Sequence, residues 1–242
     1  MTEQYVFYFA PHQDDELLNF GAAITQDIDA GNQVFCVLCT DGSASGARQL
    51  IGNGETCHLH QGKHPAGMEV PAFVAARDKE FIGSCSAMGL TDDRILLPAN
   101  RARDGALTPE HAAELMLDAT RGLPKTRVTV KTLLPVAGVD QNPDHTAVGT
   151  AARSLWEGGA FAGLTLFYEP IHLDRGLLER REMAVLRPQN EAQTARLLAA
   201  AGVYGRWEPE TGRYAVGIHS VYDEFAAFVI APHSLQGFAE QK

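Results

Sequence analysis

Positive charge is scarce in this sequence of 242 residues, and long hydrophobic runs are absent. There are 20 lysines and arginines against 30 aspartates and glutamates, which gives a formal net charge of −10. Binding to nucleic acid requires concentrated Lys and Arg, so we expect no nucleic-acid partner. The apolar run near the C-terminus, from Phe225 to Ala231, is much shorter than a helix that crosses a bilayer, so we expect no membrane span.

The N-terminal region lacks basic residues, and the cysteines lack a disulfide pattern. The first Lys or Arg is Arg48, so the chain does not begin with the basic region of a secretory signal. The four cysteines, at positions 36, 39, 57 and 85, do not have the spacing of a disulfide framework. These absences predict a cytoplasmic protein. The oligomeric state stays open, and a homo-oligomer is compatible with the sequence.

Buried strands alternate with amphipathic helices along the chain. Residues 5–10 and 33–39 are apolar runs without alternation, which is typical of strands buried on both faces of a parallel sheet. Between them, apolar residues recur every three or four positions from Asp15 onward, which predicts a helix that ends before Gly31. Further helices are predicted over 71–88, 108–121, 146–156 and 190–201, and further strands over 94–97, 127–135 and 164–168. The sequence therefore predicts one α/β domain over 1–242 with a largely parallel sheet.

One segment departs from this alternation. Residues 42–70 are rich in glycine, serine and histidine and show no convincing periodicity. Loops of this length are usually functional, and this one follows a buried strand, where open α/β sheets place their ligand crevice. We therefore predict a lid-like loop beside a ligand site.

Five polar side chains, His-Gln-Asp-Asp-Glu at 12–16, follow the first strand. A helix cap at Asp15 and the helix dipole would account for one or two of the acids, but not for a histidine at the crevice edge. The alternative is a metal or acid/base site. His12 and Asp15 can converge on one ion across the turn, while Asp14 points elsewhere and is free to act on a water molecule.

A second polar segment, Asp-Gln-Asn-Pro-Asp-His at 140–145, follows the predicted strand 127–135 and precedes a helix. Two such junctions of a parallel sheet face the same crevice, so His145 can meet His12 and Asp15. A histidine at a helix start is more often structural when it stands alone. The pairing with the first segment favours a metal ligand instead.

These residues resemble the LmbE/PIG-L family of zinc-dependent N-acetylglucosaminyl deacetylases. Pro11 to Glu16 looks like the family's His-Pro-Asp-Asp-Glu signature, and Asn142 to His145 resembles its His-Pro-Asp-His signature. Residues 40–42 (Thr-Asp-Gly) and 77–80 (Arg-Asp-Lys-Glu) match positions that recur there. The likeness covers roughly the N-terminal three-fifths of the chain, and the remainder, including 217–220, matches only loosely.

The resemblance implies a Rossmann-like three-layer fold and a zinc-dependent amidohydrolase. Its substrate would be an N-acetyl or other N-acyl amino sugar, or a sugar-containing conjugate. The implied zinc ligands are His12, Asp15 and His145, the implied catalytic residues are Asp14 (the general base), Asn142 and Asp144, and the implied substrate-binding residues are Arg77, Asp41 and His219. Ferrous iron is an alternative to zinc, because two nitrogens and one carboxylate accept either ion.

The sequence departs from the family at Asn142, where a histidine is usual. That histidine is thought to stabilise the oxyanion or to protonate the leaving amine. Asn142 can donate a hydrogen bond but cannot carry a proton, so either Asp14 serves as base and acid or another histidine takes over. The candidate histidines are His58, His60, His64 and His219. The alternative function is a catalytically impaired protein that binds zinc and carbohydrate.

Two further patterns are weaker. Cys36 and Cys39 have redox-motif spacing, but residues three apart on a strand face opposite sides of the sheet, which predicts core cysteines. Cys57 with His58, His60 and His64 would be a second metal site, but the spacing matches no standard zinc finger, and we interpret the segment as a polar lid.

Arg77 has two interpretations. It pairs with Glu80 on its own helix, or it reaches the crevice and binds polar groups of the substrate. The sequence does not decide between them.

Overall fold

A seven-stranded sheet forms the centre of the computed structural model, which describes residues 4–134, 139–178 and 183–241. Its strands are β1 (Tyr5–Ala10), β2 (Gln33–Leu38), β3 (Ile95–Leu96), β4 (Val128–Leu133), β5 (Gly163–Tyr168), β6 (Ala184–Leu186) and β9 (Ser234–Gln241). The spatial order is β3-β2-β1-β4-β5-β9-β6. A separate two-stranded sheet pairs β7 (Trp207–Glu208) with β8 (Arg213–Tyr214).

The first five strands pair in parallel, which confirms the prediction of a largely parallel sheet. β9 is antiparallel to both β5 and β6. The sequence did not indicate these last two strands, because β6 has three residues and β9 contains Gly237 and polar side chains.

Helices cover both faces of the sheet. They are α1 (Asp15–Leu18), α2 (Gly21–Asp29), α3 (Ala47–Ile51), α4 (Val70–Met88), α5 (Pro109–Ala119), α6 (Pro143–Glu157), α7 (Pro170–Asp174), α8 (Glu191–Tyr204), α9 (Val216–Ser220) and α10 (Tyr222–Ile230). One core packs the even-numbered residues of β1 against α2, α4 and α8, and the other packs its odd-numbered residues against α5 and α6. This is the expected three-layer, Rossmann-like architecture. Cys36 and Cys39 lie in opposite cores, as their spacing predicts.

Several element boundaries differ from the predictions. The helix predicted from Asp15 is interrupted between α1 and α2. α6 begins at Pro143 rather than Thr146, because the Asn142 side chain caps it by accepting from the backbone N–H of Asp144 at 2.9 Å. Pro135, where a strand was predicted to end, lies outside the described residues.

The segment 42–70 is more structured than its sequence predicts. It contains α3 and two isolated β-bridges, Asn53 with Ala66 and Thr56 with Lys63. Ile51 anchors it in a small core with Phe73 of α4. In the described part of the chain, no helix is both long and apolar enough to cross a membrane.

The order of the strands determines where a ligand can bind. β1 is paired with β2 on one side and with β4 on the other. The strands that follow β1 are therefore added first on one side of it, as β2 and β3, and then on the other side, as β4 and β5. Ligands of open α/β sheets bind at such a switch point, beyond the carboxyl ends of the strands. Residues 12–16 and 140–145 leave the sheet at this place.

Candidate metal centre and catalytic crevice

The turn after β1 is fixed by its own side chains. One oxygen of Asp15, Oδ2, accepts from the backbone N–H of His12 at 2.8 Å, and the other, Oδ1, accepts from the Asn19 side chain at 2.8 Å. Asp14 has a φ of 122°, a left-handed conformation that is costly for a non-glycine residue. Because of this strained turn, the side chains of Asp14 and Asp15 reach different places in the crevice although the two residues are consecutive.

The three sequence-predicted metal ligands meet at one place. His12 Nδ1 lies 3.4 Å from Asp15 Oδ2, and His145 Nε2 lies 3.7 Å from the same oxygen. The two ring nitrogens are 3.2 Å apart. Ligand atoms about 2.0–2.2 Å from a tetrahedral zinc are separated by about 3.3–3.6 Å, so the spacing fits one ion. All three side chains are buried.

A carboxylate behind each imidazole fixes its tautomer. Nε2 of His12 lies 3.0 Å from Asp144, and Nδ1 of His145 lies 2.8 Å from Asp140. A carboxylate accepts, so these ring nitrogens carry hydrogens, and in the neutral rings the lone pairs of His12 Nδ1 and His145 Nε2 face each other. Facing lone pairs repel unless positive charge lies between them, and metal-bound histidines usually have such outer carboxylates. The donor set therefore fits a divalent cation.

The electrostatics of the pocket also favour a cation. Burial lowers the pKa of His145, but facing carboxylates, Asp15 first among them, raise it to about 10. Burial raises the pKa of Asp15, and the two histidines outweigh it and lower that pKa below its ordinary value. A metal ion would compete with protons for this site.

Asp14 lines the crevice beside the three candidate ligands. Burial raises the pKa of its carboxyl to about 7, against the lowering effect of Arg77. Asp14 Oδ2 is 3.5 Å from the guanidinium of Arg77. A carboxyl that titrates near neutrality is suited to proton transfer.

Arg77 reaches the crevice rather than pairing along its helix. Its guanidinium donates to the backbone carbonyls of Gln13 at 2.8 Å and Gly42 at 3.0 Å. Glu80 instead accepts from the backbone N–H groups that begin α9, those of Val216 at 2.6 Å and Gly217 at 3.0 Å. Arg77 therefore holds two crevice loops together and borders the space where a substrate would lie.

Residue 42 must be glycine for this arrangement. Its φ is +67°, and a Cβ there would collide with the side chains of Gln13 and Arg77.

The sequence-predicted catalytic residues Asn142 and Asp144 lie in different environments. Asn142 lines the crevice, and its side-chain oxygen is used as the helix cap. Asp144 is fully buried behind His12, where it also accepts from the backbone N–H groups of Gly105 at 2.7 Å and Leu107 at 3.0 Å. Asp144 thus orients His12 and the 105–107 turn.

The crevice has a volume of about 270 Å³, and its lining is mostly polar. Three acidic residues in it, Asp104, Glu169 and Glu224, were not predicted. Glu169 directly follows β5, so its position at a strand end would have indicated it. Glu224 lies on α10, and nothing in its local sequence marks it. Burial, with help from nearby carboxylates, raises the pKa of Glu224 to about 8.

Two predicted substrate residues lie away from the metal centre. Asp41 accepts from the backbone N–H groups of Ser43 and Asp104, both at 2.9 Å, and so fixes the loop. His219 lies in a separate cluster with Cys57, His60 and His64. In the described part of the chain, the four histidines considered as replacements for the missing one at 142 all lie outside the crevice lining.

Sequence comparison identifies one family model and no curated relative. The model of PIG-L, described as GlcNAc-PI de-N-acetylase, matches residues 7–156. No curated protein matches the chain significantly.

Solved structures with the same fold have several activities. The zinc-inhibited form of the teicoplanin deacetylase Orf2 is 16% identical, with a TM-score of 0.61 and 98% of each chain covered. The N,N′-diacetylchitobiose deacetylase from Pyrococcus horikoshii is 16% identical, with a TM-score of 0.57 over 99% of this chain and 84% of that one. GalB, a 4-carboxy-2-hydroxymuconate hydratase from Pseudomonas putida, is 15% identical, with a TM-score of 0.53 over 97% and 94%. The fold alone therefore does not decide the reaction.

Proposed function

The chain belongs to the PIG-L family, and from this membership we propose that it is a metal-dependent amidohydrolase that removes an N-acetyl or other N-acyl group from an amino sugar or a sugar-containing conjugate. Two solved structures that share the fold are deacetylases of sugar-containing compounds, teicoplanin and N,N′-diacetylchitobiose. The metal would be zinc, with ferrous iron as the alternative.

One observation carries the proposal. His12 Nδ1 and His145 Nε2 lie 3.2 Å apart beside the carboxylate of Asp15 in an open crevice, and the other nitrogen of each ring is held by a carboxylate, so the neutral rings would both direct lone pairs to one ion. When bound there, a zinc or ferrous ion would polarise the amide carbonyl and lower the pKa of a water molecule.

The protein's own groups would handle the protons. Asp14 accepts the proton of the attacking water as the water adds to the carbonyl carbon. Asn142 lines the same crevice, and its amide N–H can donate to the oxygen that becomes negative.

Glu224 can supply the proton that the leaving amine needs. It lines the crevice and, with a pKa of about 8, holds a proton at neutral pH. This assignment gives the acid role to a residue on α10 and removes the need for a histidine at 142. Asp14 and Glu224 would then act as base and acid from two elements of the crevice.

The remaining sequence-predicted residues would act by positioning. Asp144 and Asp140 orient the two imidazoles. Arg77 and Asp41 hold the loops that border the crevice, and Arg77 is also placed to contact polar groups of a bound substrate.

The test is acetate release from a panel of N-acetyl amino sugars by purified protein loaded with one equivalent of zinc at the crevice. We expect turnover, and we expect Asp14→Asn to reduce it about 10²–10⁴-fold while the bound metal is retained, because the variant loses only the base. Asp92→Asn, the same change at an exposed aspartate between α4 and β3, is the control and should leave turnover unchanged. Full turnover by Asp14→Asn would contradict the assigned mechanism.

Because Asn142 cannot carry a proton, it supports a second candidate function, that of a protein that binds metal and carbohydrate without catalysis. That candidate predicts metal retention and sugar binding with no acetate or other acid released from any member of the panel. Turnover by the wild-type protein would reject it.

A further inference from the structure

A second group of metal-ligating side chains lies outside the crevice. Cys57, His60, His64 and His219, here called the Cys-His cluster, bring one ligand atom each to within 4.8 Å of one another. Cys57 Sγ is 3.3 Å from His219 Nε2, and His60 Nε2 is 3.2 Å from His64 Nε2. These distances are close to the ligand separations of about 3.3–3.6 Å around a tetrahedral zinc.

Two of the histidines present lone pairs to the centre of the cluster. His219 Nδ1 lies 2.7 Å from the carbonyl of Ala215, and His64 Nδ1 lies 3.0 Å from Asn53 Oδ1. Asn53 Oδ1 also accepts from the backbone N–H of Glu55 at 2.9 Å, so it is an acceptor. Both Nδ1 atoms therefore carry hydrogens, and both Nε2 atoms are free to ligate. Outer contacts of this kind are typical of metal-bound histidines.

His60 differs from the other two. Its Nδ1 accepts from the backbone N–H of Gly62 at 3.0 Å, so its Nε2 carries the proton that faces His64. To ligate through Nε2 as a neutral imidazole, His60 must carry its proton on Nδ1 instead and give up the hydrogen bond from Gly62, so we expect it to be the weakest of the four ligands. The indole of Trp207 stacks on its ring at 3.7 Å between centroids and holds it in place.

Strained backbone occurs on both sides of the cluster. Among the residues that the structure describes, three non-glycine residues have positive φ, namely Asp14, Gln61 and Ala215. Asp14 belongs to the crevice, whereas Gln61 (φ 58°) adjoins His60 and Ala215 (φ 49°) supplies the carbonyl that orients His219. Such strain gathers at ligand-binding sites.

We propose that the Cys-His cluster binds a second divalent metal ion of the zinc class. Cys57, with its thiol proton released, His64 and His219 would be the principal ligands, and His60 would complete a four-ligand site. Four protein ligands leave no open position, which is the pattern of a structural rather than a catalytic zinc.

The ion would fasten the 42–70 segment to α9. Three of the ligands lie in that segment and the fourth, His219, lies in α9. Ser220, next to His219, lines the crevice and its hydroxyl lies 3.3 Å from that of Ser45. The site would therefore hold the crevice wall that these two elements form.

The test is cobalt loading of the full-length protein, because a thiolate bound to Co²⁺ gives a near-ultraviolet charge-transfer band. The crevice site contains nitrogen and oxygen donors only, so the band reports the Cys-His cluster alone. We expect the band in the wild-type protein and in His12→Ala, and its loss in Cys57→Ser. His58→Ala removes an exposed histidine beside Cys57 and should keep the band.

Zinc content gives a second readout that does not depend on turnover. We expect two equivalents in the wild-type protein and one in His219→Ala. Asn53→Ala should weaken binding at the cluster about 10–100-fold, and His60→Ala should weaken it less than His64→Ala. A folded wild-type protein that shows no charge-transfer band when saturated with cobalt would overturn the proposal, as would a band that survives Cys57→Ser.

Discussion

Two regions of this molecule gather histidines around a point, and they differ in how the fold assembles them. The crevice site takes its candidate ligands from the turn after β1 and the first turn of α6, both at the carboxyl edge of the sheet. The Cys-His cluster takes its ligands from the 42–70 segment and α9, away from the sheet. The first is surrounded by carboxylates and borders the polar crevice, whereas the second contains a thiol, would have four protein ligands and lines a mostly apolar cavity of about 420 Å³.

The difference shows how donor chemistry separates the two roles. Carboxylates around His12 and His145 raise the pKa of both histidines, and the three-residue donor set leaves room for a substrate. Around the cluster, the outer contacts come from a backbone carbonyl and an amide oxygen. We therefore expect catalysis at the crevice and not at the Cys-His cluster.

Among variants that leave the metal ligands and the base Asp14 in place, the largest effect is expected from Glu224→Gln. The variant cannot deliver a proton to the leaving amine, so kcat should fall about 100-fold while metal content at both sites is unchanged. Asp223→Asn makes the same carboxyl-to-amide change at an exposed neighbour and should have little effect. Single-turnover acetate release measures the change, and a Glu224→Gln enzyme as fast as wild type would show that the acid lies elsewhere.

Asp140→Asn should separate the two metal sites. The variant removes the carboxylate that orients His145, so zinc affinity at the crevice should fall about 10–100-fold. The thiolate-to-cobalt band of the Cys-His cluster should not change. Competition with a chromophoric chelator measures both affinities. Equal weakening at the two sites would mean that they are not independent.

The acid limb of the pH dependence of kcat/KM should follow Asp14, the alkaline limb should follow Glu224, and neither should follow a group of the Cys-His cluster. Activity requires ionised Asp14, so it should fall as pH decreases through the pKa of this group, which is about 7 without the metal and lower with a divalent cation beside it. Arg77 lowers the same pKa, so Arg77→Gln should move the acid limb to higher pH, whereas Arg77→Lys should move it less. A limb that Arg77→Gln leaves in place would assign it to another group.

The smallest expected effect is on stability. Asp14 has a φ of 122°, so Asp14→Gly should be more stable than Asp14→Ala by about 1 kcal/mol, although glycine is ordinarily the less stable of the two. The same comparison at Gln61 tests the strain beside the cluster. Urea unfolding of each pair gives the difference, and a more stable alanine variant at position 14 would show that the turn is not strained.

The sequence predicted that the three candidate ligands of the crevice meet, because a parallel sheet brings the ends of β1 and β4 to one edge. That rule holds whatever conformation the connecting loops adopt, and it predicted that His12, Asp15 and His145 lie together. It does not apply to Glu224, which reaches the crevice from α10, or to Asp104, which follows β3 by several residues.

The Cys-His cluster could not be predicted in full for a related reason. Cys57, His60 and His64 were visible in the sequence, but the fourth member, His219, is far away in the chain and on a five-residue helix. The 42–70 segment has no periodicity that predicts α3 or its β-bridges. The contacts between this segment and α9 could therefore be identified only from the structure.

The central claim is that His12, Asp15 and His145 share one divalent ion. Anomalous diffraction at the zinc edge, from crystals of the zinc-loaded protein, tests it most directly. We expect a peak bonded to His12 Nδ1, His145 Nε2 and a carboxylate oxygen of Asp15. Density that shows these two rings hydrogen-bonded to each other, with no peak between them at saturating zinc, would contradict the account.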